Sequence, residues 1–127
     1  TDGLRWTDHR VVLSPRPDVS TEDAAVAAPW VWREKDRYRM MYCGIGTRWG
    51  FYSMSEAVSV DGYTWDRGEP ETNLSLAPDP QNQWESQMVE YPSIVDEGHQ
   101  LRLFYCGNGY GNTGIGTATA TLPLPGA

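Results

Sequence analysis

The chain has 127 residues and a formal net charge of −7 at neutral pH, a length that suits one domain with its own core. Its 13 glycines, 9 prolines, 6 tryptophans and 7 tyrosines supply turn formers and strand-favouring aromatic residues, which predicts an all-β fold. The acidic balance argues against nucleic acid or an anionic membrane as partner, and we find neither a membrane-spanning apolar run nor a signal peptide.

An Asp-Gly turn stands at the start of the chain. The segment from Asp2 to Trp6 matches that from Asp61 to Trp65 at an offset of 59 (61 − 2), and Asp-Gly tolerates the positive φ of a tight hairpin. We predict that a strand from Leu4 to Leu13 follows this turn. It is expected to complete the last unit of the chain by pairing with the strand around Ile115 to Thr121, in its own chain or in a partner's.

Four short strands follow, rich in aromatic and β-branched residues and separated by turn residues. They are predicted at Trp30 to Arg33, Tyr38 to Cys43, Tyr52 to Ser59 and Thr64 to Asp66. The sequence Glu34-Lys35-Asp36 suits a hairpin between the first two strands. The stretches from Ser14 to Ala27 and from Gly68 to Glu90 carry Pro, Asp and Ser, and we interpret them as loops that lead into a first strand.

The stretch from Ala28 to Gly46 recurs from Tyr91 to Gly109 at a constant offset of 63 (92 − 29). The identical pairs are Pro29/Pro92, Glu34/Glu97, Arg39/Arg102, Tyr42/Tyr105, Cys43/Cys106, Gly44/Gly107 and Gly46/Gly109. Repeated units of four antiparallel strands, without helical periodicity, are typical of β-propeller blades. We therefore predict one all-β domain over residues 1–127, with two four-stranded antiparallel blades at roughly 2–59 and 61–120.

Two blades do not close a ring, because propellers need roughly four to eight. Either the chain is a piece of a longer protein that holds the missing blades, or it closes by self-association. Two copies would give four blades and three copies six. If the chain is the whole protein, we expect a homo-oligomer, a dimer or a trimer.

The wording of the strands resembles that of the five-bladed β-propeller glycosidases, the clan of glycoside hydrolase families 43 and 32, and of their uncharacterised relatives. The phrases that carry the resemblance are Pro29-Trp30-Val31, Tyr38 to Tyr42, the Ser-x-Asp-Gly-x-x-Trp turn from Ser59 to Trp65, Met88 to Val95 and Phe104 to Gly116. The resemblance covers nearly the whole chain but about two of five blades. It implies a propeller fold and a carbohydrate ligand.

The resemblance also implies one catalytic residue. These glycosidases hold their general acid in a Glu-x-Pro motif at the start of an innermost strand, and Glu90-Tyr91-Pro92 matches that motif. The family's acid-orienting Asp, before the Pro of the preceding blade, is replaced by Ala28, preceded by Ala27. Glu22 and Glu85 recur at the offset of 63, in the loops before the first strands, where a structural hydrogen bond explains them at least as well as catalysis.

Further site residues follow from propeller topology, in which innermost strands line the central channel and the loops between second and third strands lie on the same face as the connections into them. Trp84, Asn108, Tyr110 and Asn112 are therefore expected to converge with Glu90 on one rim, together with the rim aromatics Trp30 and Trp49. A carboxylate beside aromatic platforms and amide donors suits a sugar, which offers apolar C–H faces and hydroxyl edges.

Three functional hypotheses remain open at this stage. The chain is a glycoside hydrolase with Glu90 as general acid, a non-catalytic glycan-binding module, or a gene fragment without function. No cofactor is expected, and no metal site, because His9 and His99 lie in unrelated turns without ligand spacing. Cys43 and Cys106, one blade apart, are predicted to be free thiols, which slightly favours a reducing compartment such as the cytoplasm.

Overall fold

The computed structural model describes residues 3–124, and their strands form two antiparallel sheets. The first sheet has the order β1-β2-β3-β4, with β1 at Ala25–Glu34, β2 at Arg37–Ile45, β3 at Tyr52–Ser59 and β4 at Leu74–Leu76. The second has the order β5-β6-β7, with β5 at Glu90–Asp96, β6 at Gln100–Cys106 and β7 at Ile115–Thr121. The prediction of an all-β fold is confirmed, and the two sheets are compatible with two partial propeller blades.

Helical structure is confined to two single turns in the described residues. One is a 3-10 turn at Gln83–Glu85, just before β5. The other is α1 at Asn108–Gly111, between β6 and β7, where Gly109 and Tyr110 have φ values of 63° and 58°. Left-handed φ is incompatible with a regular helix, so α1 is a tight turn. No helix within residues 3–124 is long and apolar enough to cross a membrane.

The fourth strand of the first sheet lies later than predicted. The segment from Thr64 to Asp66 contributes only one bridge, between Asp66 and Val58, and the strand that pairs with β3 is β4. The cause is local, because the Asp61 carboxylate accepts the backbone N–H groups of Tyr63 and Thr64, each at 2.8 Å. Donors used by this turn are lost to a sheet ladder.

The N-terminal strand is also not formed in this chain. No described residue before β1 belongs to a strand, the second sheet has three strands, and β7 pairs only with β6. Instead Leu13 packs against the first sheet, and the carbonyl of Ser14 accepts a hydrogen bond from Arg67 at 2.6 Å. These contacts hold residues near the end of this segment away from β7. Pairing with a partner's sheet stays a prediction.

The main core lies between the two sheets. Met41, Cys43 and Met54 of the first sheet meet Val89, Leu103 and Tyr105 at the second. A smaller cluster of Met40, Tyr42 and Ala57 lies on the opposite face of the first sheet. Side chains alternate between faces along a strand, so β2 is apolar on both faces because both are covered.

The cysteines are free thiols, as predicted. Cys43 is buried in β2 and Cys106 half-buried at the end of β6. Burial raises the pKa of the Cys43 thiol to about 12, and the nearby Glu90 carboxylate contributes to this rise. Because the thiolate is the reactive form of cysteine, Cys43 is a packing residue rather than a nucleophile.

Candidate functional site

Strand register brings the start of β5 and two loops to one end of the molecule. Ala25 pairs with Ile45, so β1 begins where β2 ends. Glu90 pairs with Cys106, so β5 begins where β6 ends. The loops 46–51 and 107–114, which follow β2 and β6, therefore lie at the end of their own sheets where the first strand begins. We call this end the rim.

A β-bulge follows the first rim residue of each first strand. The register shifts between Ala27 and Trp30 in β1 and between Glu90 and Ser93 in β5. Within the bulges, Ala28 and Tyr91 have φ values of 49° and 58°. Bulges redirect side chains and recur beside functional sites. Ala27 therefore has, in the first sheet, the place that Glu90 has in the second.

Glu90 is completely buried and lacks a hydrogen-bond partner. Its exposed fraction is 0 %, and neither carboxylate oxygen bonds to any group in the described part of the chain. Burial therefore raises the pKa of Glu90 and favours the protonated acid. Buried polar groups are nearly always satisfied in folded proteins, so an unsatisfied carboxyl at the rim marks a functional candidate.

Three tyrosine rings lie beside this carboxyl, and we call them the tyrosine cluster. The ring of Tyr52 lies 6.3 Å from that of Tyr91 and 6.2 Å from that of Tyr110, the latter pair edge to face. The Glu90 charge is the main cause of the raised pKa of Tyr91, whereas burial is the main cause for Tyr52. Tyr91 and Tyr110 are 46 % and 60 % exposed. The cluster thus combines proximity to Glu90 with contact to solvent.

Sequence reasoning identified Tyr110 but missed Tyr52 and Tyr91. Tyr52 is the first residue of β3, at the rim, and its carbonyl accepts the backbone N–H of Val89 at 3.1 Å. Tyr91 follows Glu90 directly, and its N–H points to the Cys43 sulfur at 3.4 Å. The available signal was the rim position of both residues, but their meeting depends on the packing of two sheets.

Trp84, predicted to bind substrate, is half-buried and packs inside the second sheet. Its ring lies 5.4 Å from that of Tyr105. The positions above Gly107 and Gly116 are also filled by Trp84, since an added Cβ at Gly116 would lie 1.9 Å from its Cη2 atom. These contacts fix the loop that leads into β5.

Asn108, also predicted to bind substrate, is 9 % exposed and uses its whole amide group within the protein. Its Oδ1 accepts the backbone N–H groups of Gln87 at 2.8 Å and Met88 at 3.2 Å. Its Nδ2 donates to the Gln83 carbonyl at 2.9 Å and to Ser86 Oγ at 3.1 Å. An amide has two donors and two acceptor sites, so Asn108 holds the loop before β5 in place.

The other predicted site residues are distributed along the rim and β1. Asn112 is exposed in the turn after α1. Trp30 is 38 % exposed in β1, and half-buried Trp49 in loop 46–51 lies under the Arg48 guanidinium at 4.6 Å. The ring contacts of the described residues join Tyr110 to the tyrosine cluster and leave these two tryptophans outside it.

The two recurring glutamates have structural partners. Glu22 Oε2 accepts the Tyr42 hydroxyl at 2.5 Å, and Glu22 Oε1 pairs with Arg16 and Arg67. Glu85 Oε2 accepts the Tyr105 hydroxyl at 2.6 Å. These two carboxylates are therefore committed to the scaffold. Within residues 3–124 no group of three or more metal-binding side chains is found.

Comparison with known proteins gives relatives of longer length. No protein-family model matches the chain. The chain is 36% identical over 118 residues to the uncharacterised protein Rv1502 of Mycobacterium tuberculosis and, to the same extent, to the uncharacterised protein MT1551 from another strain. Both alignments cover 92% of this chain but 36% of the relative, so the chain spans about a third of the length of these curated relatives.

Solved structures show the same fold. A glycosyl hydrolase from Bacteroides ovatus superposes with a TM-score of 0.71 at 17% identity, covering 87% of this chain and 36% of that one. A candidate glycoside hydrolase from Parabacteroides distasonis gives 0.64 at 20% identity with the same coverage. A further candidate from Bacteroides ovatus gives 0.65 at 17% identity, covering 87% and 35%. The chain therefore has a glycoside hydrolase-like all-β fold.

Proposed function

We propose that this chain provides the general-acid part of a carbohydrate-active β-propeller of the family 43 type, with Glu90 as the acid. The observation that carries the proposal is a fully buried carboxyl at the rim, without a hydrogen-bond partner and beside three tyrosine rings. General acids of glycosidases need a raised pKa so that they hold a proton to donate to the leaving oxygen. Burial supplies that condition at Glu90.

Hydrolysis also needs a second carboxylate, about 5–5.5 Å away for retention or 6.5–9.5 Å for inversion of configuration. Glu22 and Glu85 are bound to tyrosine hydroxyls and do not fill that role. The second group then belongs to blades outside this chain, in a longer protein or in a partner copy. Coverage of 36% of each relative supports this, because two blades of five make about 40% of a propeller.

The test is the substitution Glu90→Gln, which keeps the shape and removes the acidic proton. Hydrolysis of an aryl glycoside should fall by roughly 10²–10⁴-fold, the usual contribution of general acid catalysis. Glu69→Gln, an exposed charge removal in the loop before β4, is the matched control and should leave the rate unchanged. Full activity of the Glu90→Gln protein would refute the assignment.

A second candidate function is glycan binding without bond cleavage. The observation that favours it is Ala28, preceded by Ala27, where the resemblance expects the Asp that orients the acid. In that case Glu90→Gln changes affinity modestly, while Tyr110→Ala abolishes binding. If the wild-type protein neither binds a glycan array nor cleaves an aryl-glycoside panel, the chain is a fragment without function.

A further inference from the structure

We infer that Glu90 and the tyrosine cluster form a binding site for uncharged sugar residues, and that this site discriminates against uronic acids and amino sugars. The inference rests on the proposed function, since it assumes that the rim binds carbohydrate. It adds the class of sugar and the residues that select it. Neither follows from the Glu-x-Pro motif, because Tyr52 and Tyr110 lie outside that motif.

Charge around the site gives the first argument. The loop 77–89 before β5 and the loop 107–114 contain no Lys or Arg, and neither do residues 25–30 at the start of β1. The loop 46–51 has one cation, Arg48, which pairs with Glu71 at 3.1 Å and covers Trp49. A ligand carboxylate would thus meet the buried Glu90 without a free counter-charge from these four segments. Placing two carboxylates together in a desolvated site is strongly unfavourable.

The unsatisfied oxygens of Glu90 give the second argument. A buried carboxyl without a partner loses the hydrogen bonds that water gave it in the unfolded chain. A sugar hydroxyl both donates and accepts, so it can satisfy the protonated acid without bringing charge into the site. An ammonium group would instead require deprotonation of Glu90 and burial of an ion pair, and burial opposes that change.

The backbone of the tyrosine cluster gives the third argument. Tyr91 and Tyr110 both have φ of 58°, in the left-handed region. This conformation costs free energy for a residue with a bulky side chain, and such strain is concentrated at binding sites. Here it accompanies two partly exposed rings gathered around Tyr52. Tyrosine rings suit the apolar C–H face of a sugar, which charged sugars share, so selection falls to Glu90.

A glycan array tests the inference with neutral oligosaccharides, oligogalacturonides and deacetylated chitosan oligosaccharides as probes. Calorimetry then measures the affinity of the best ligand of each class. We expect the neutral class to bind at least about tenfold more tightly than either charged class. Stronger or equal binding of a charged class refutes the inference but leaves the proposed function standing. Absence of binding by every class refutes both.

Variants of the cluster test its residues. Tyr110→Ala should weaken neutral-sugar binding by roughly two- to tenfold, the value of one aromatic contact, and Tyr110→Phe should retain most of the affinity. Tyr63→Ala is the matched control, because Tyr63 is 51 % exposed but lies in the turn after β3, at the other end of the sheet. Equal affinity of the Tyr110→Ala and Tyr63→Ala proteins would overturn the role of the cluster.

Discussion

The hydroxyl of Tyr42 donates to Glu22 Oε2 at 2.5 Å, tying β2 to the loop that leads into β1. Tyr105 and Glu85, which follow each partner by 63 residues, make the same bond at 2.6 Å in the second sheet. Burial raises the pKa of both tyrosines, and the neighbouring glutamate adds to the rise. Both hydroxyls therefore remain protonated donors, so each sheet carries the same strap between loop and strand.

Removing either hydroxyl should destabilise the chain. Tyr42→Phe and Tyr105→Phe leave a buried glutamate oxygen without its donor, which costs about 1–3 kcal/mol of unfolding free energy. Tyr42→Phe should cost more, because Asn73 Nδ2 also donates to the Tyr42 hydroxyl at 2.9 Å. Urea unfolding measures both values, with the exposed Tyr63→Phe as control. Wild-type stability of both variants would contradict the structural role of the straps.

Stability near neutral pH should increase when Glu90 becomes Gln. The pKa of Glu90 in the folded chain lies above its ordinary value of 4.5 because of burial. Wild type therefore loses stability relative to Glu90→Gln as pH rises through the folded pKa, and the difference between them is constant below 4.5. Urea unfolding of both proteins from pH 4 to pH 8 measures the trend. A pH-independent difference would show that Glu90 titrates normally.

Gly116 should not accept a larger residue. A Cβ there would lie 1.9 Å from Trp84 Cη2, and overpacking of this kind costs about 1–3 kcal/mol. We expect Gly116→Ala to lower the urea midpoint. The same change in a Trp84→Leu background should cost less, because the clashing ring is gone. Thr121→Ala, an exposed change on β7, serves as control. Equal costs in both backgrounds would mean that Trp84 does not pack on Gly116.

Self-association is expected if the 127-residue chain acts alone. Leu103 and Tyr105 face the core, so Phe104 between them lies on the opposite face of the second sheet and is 39 % exposed. Val95 is 48 % exposed in β5, and an uncovered apolar face favours association. Light scattering should give 28.4 or 42.6 kDa (2 or 3 × 14.2). A clean 14.2 kDa species at micromolar concentration would exclude closure by self-association.

Local chemistry determined the features that the sequence predicts well. Alternating apolar residues and Glu-Lys-Asp or Asp-Gly turns specify hairpins, because register depends on neighbours along the chain. The recurrence of Glu22 and Glu85 likewise indicated a structural bond, and tyrosine partners now account for it. Glu90 was identified from its motif, and its place at the start of β5 requires only the strand boundary.

Packing between the two sheets decided the rest. Tyr52 and Tyr91 belong to different sheets, and they meet because Cys43 and Met54 pack against Val89. Whether a polar side chain is free or committed is equally non-local: Asn108 bonds to groups more than 20 residues away, and Glu90 to none described. A one-dimensional pattern gives the face of a strand, whereas hydrogen-bond satisfaction and burial depend on what the folded chain brings opposite it.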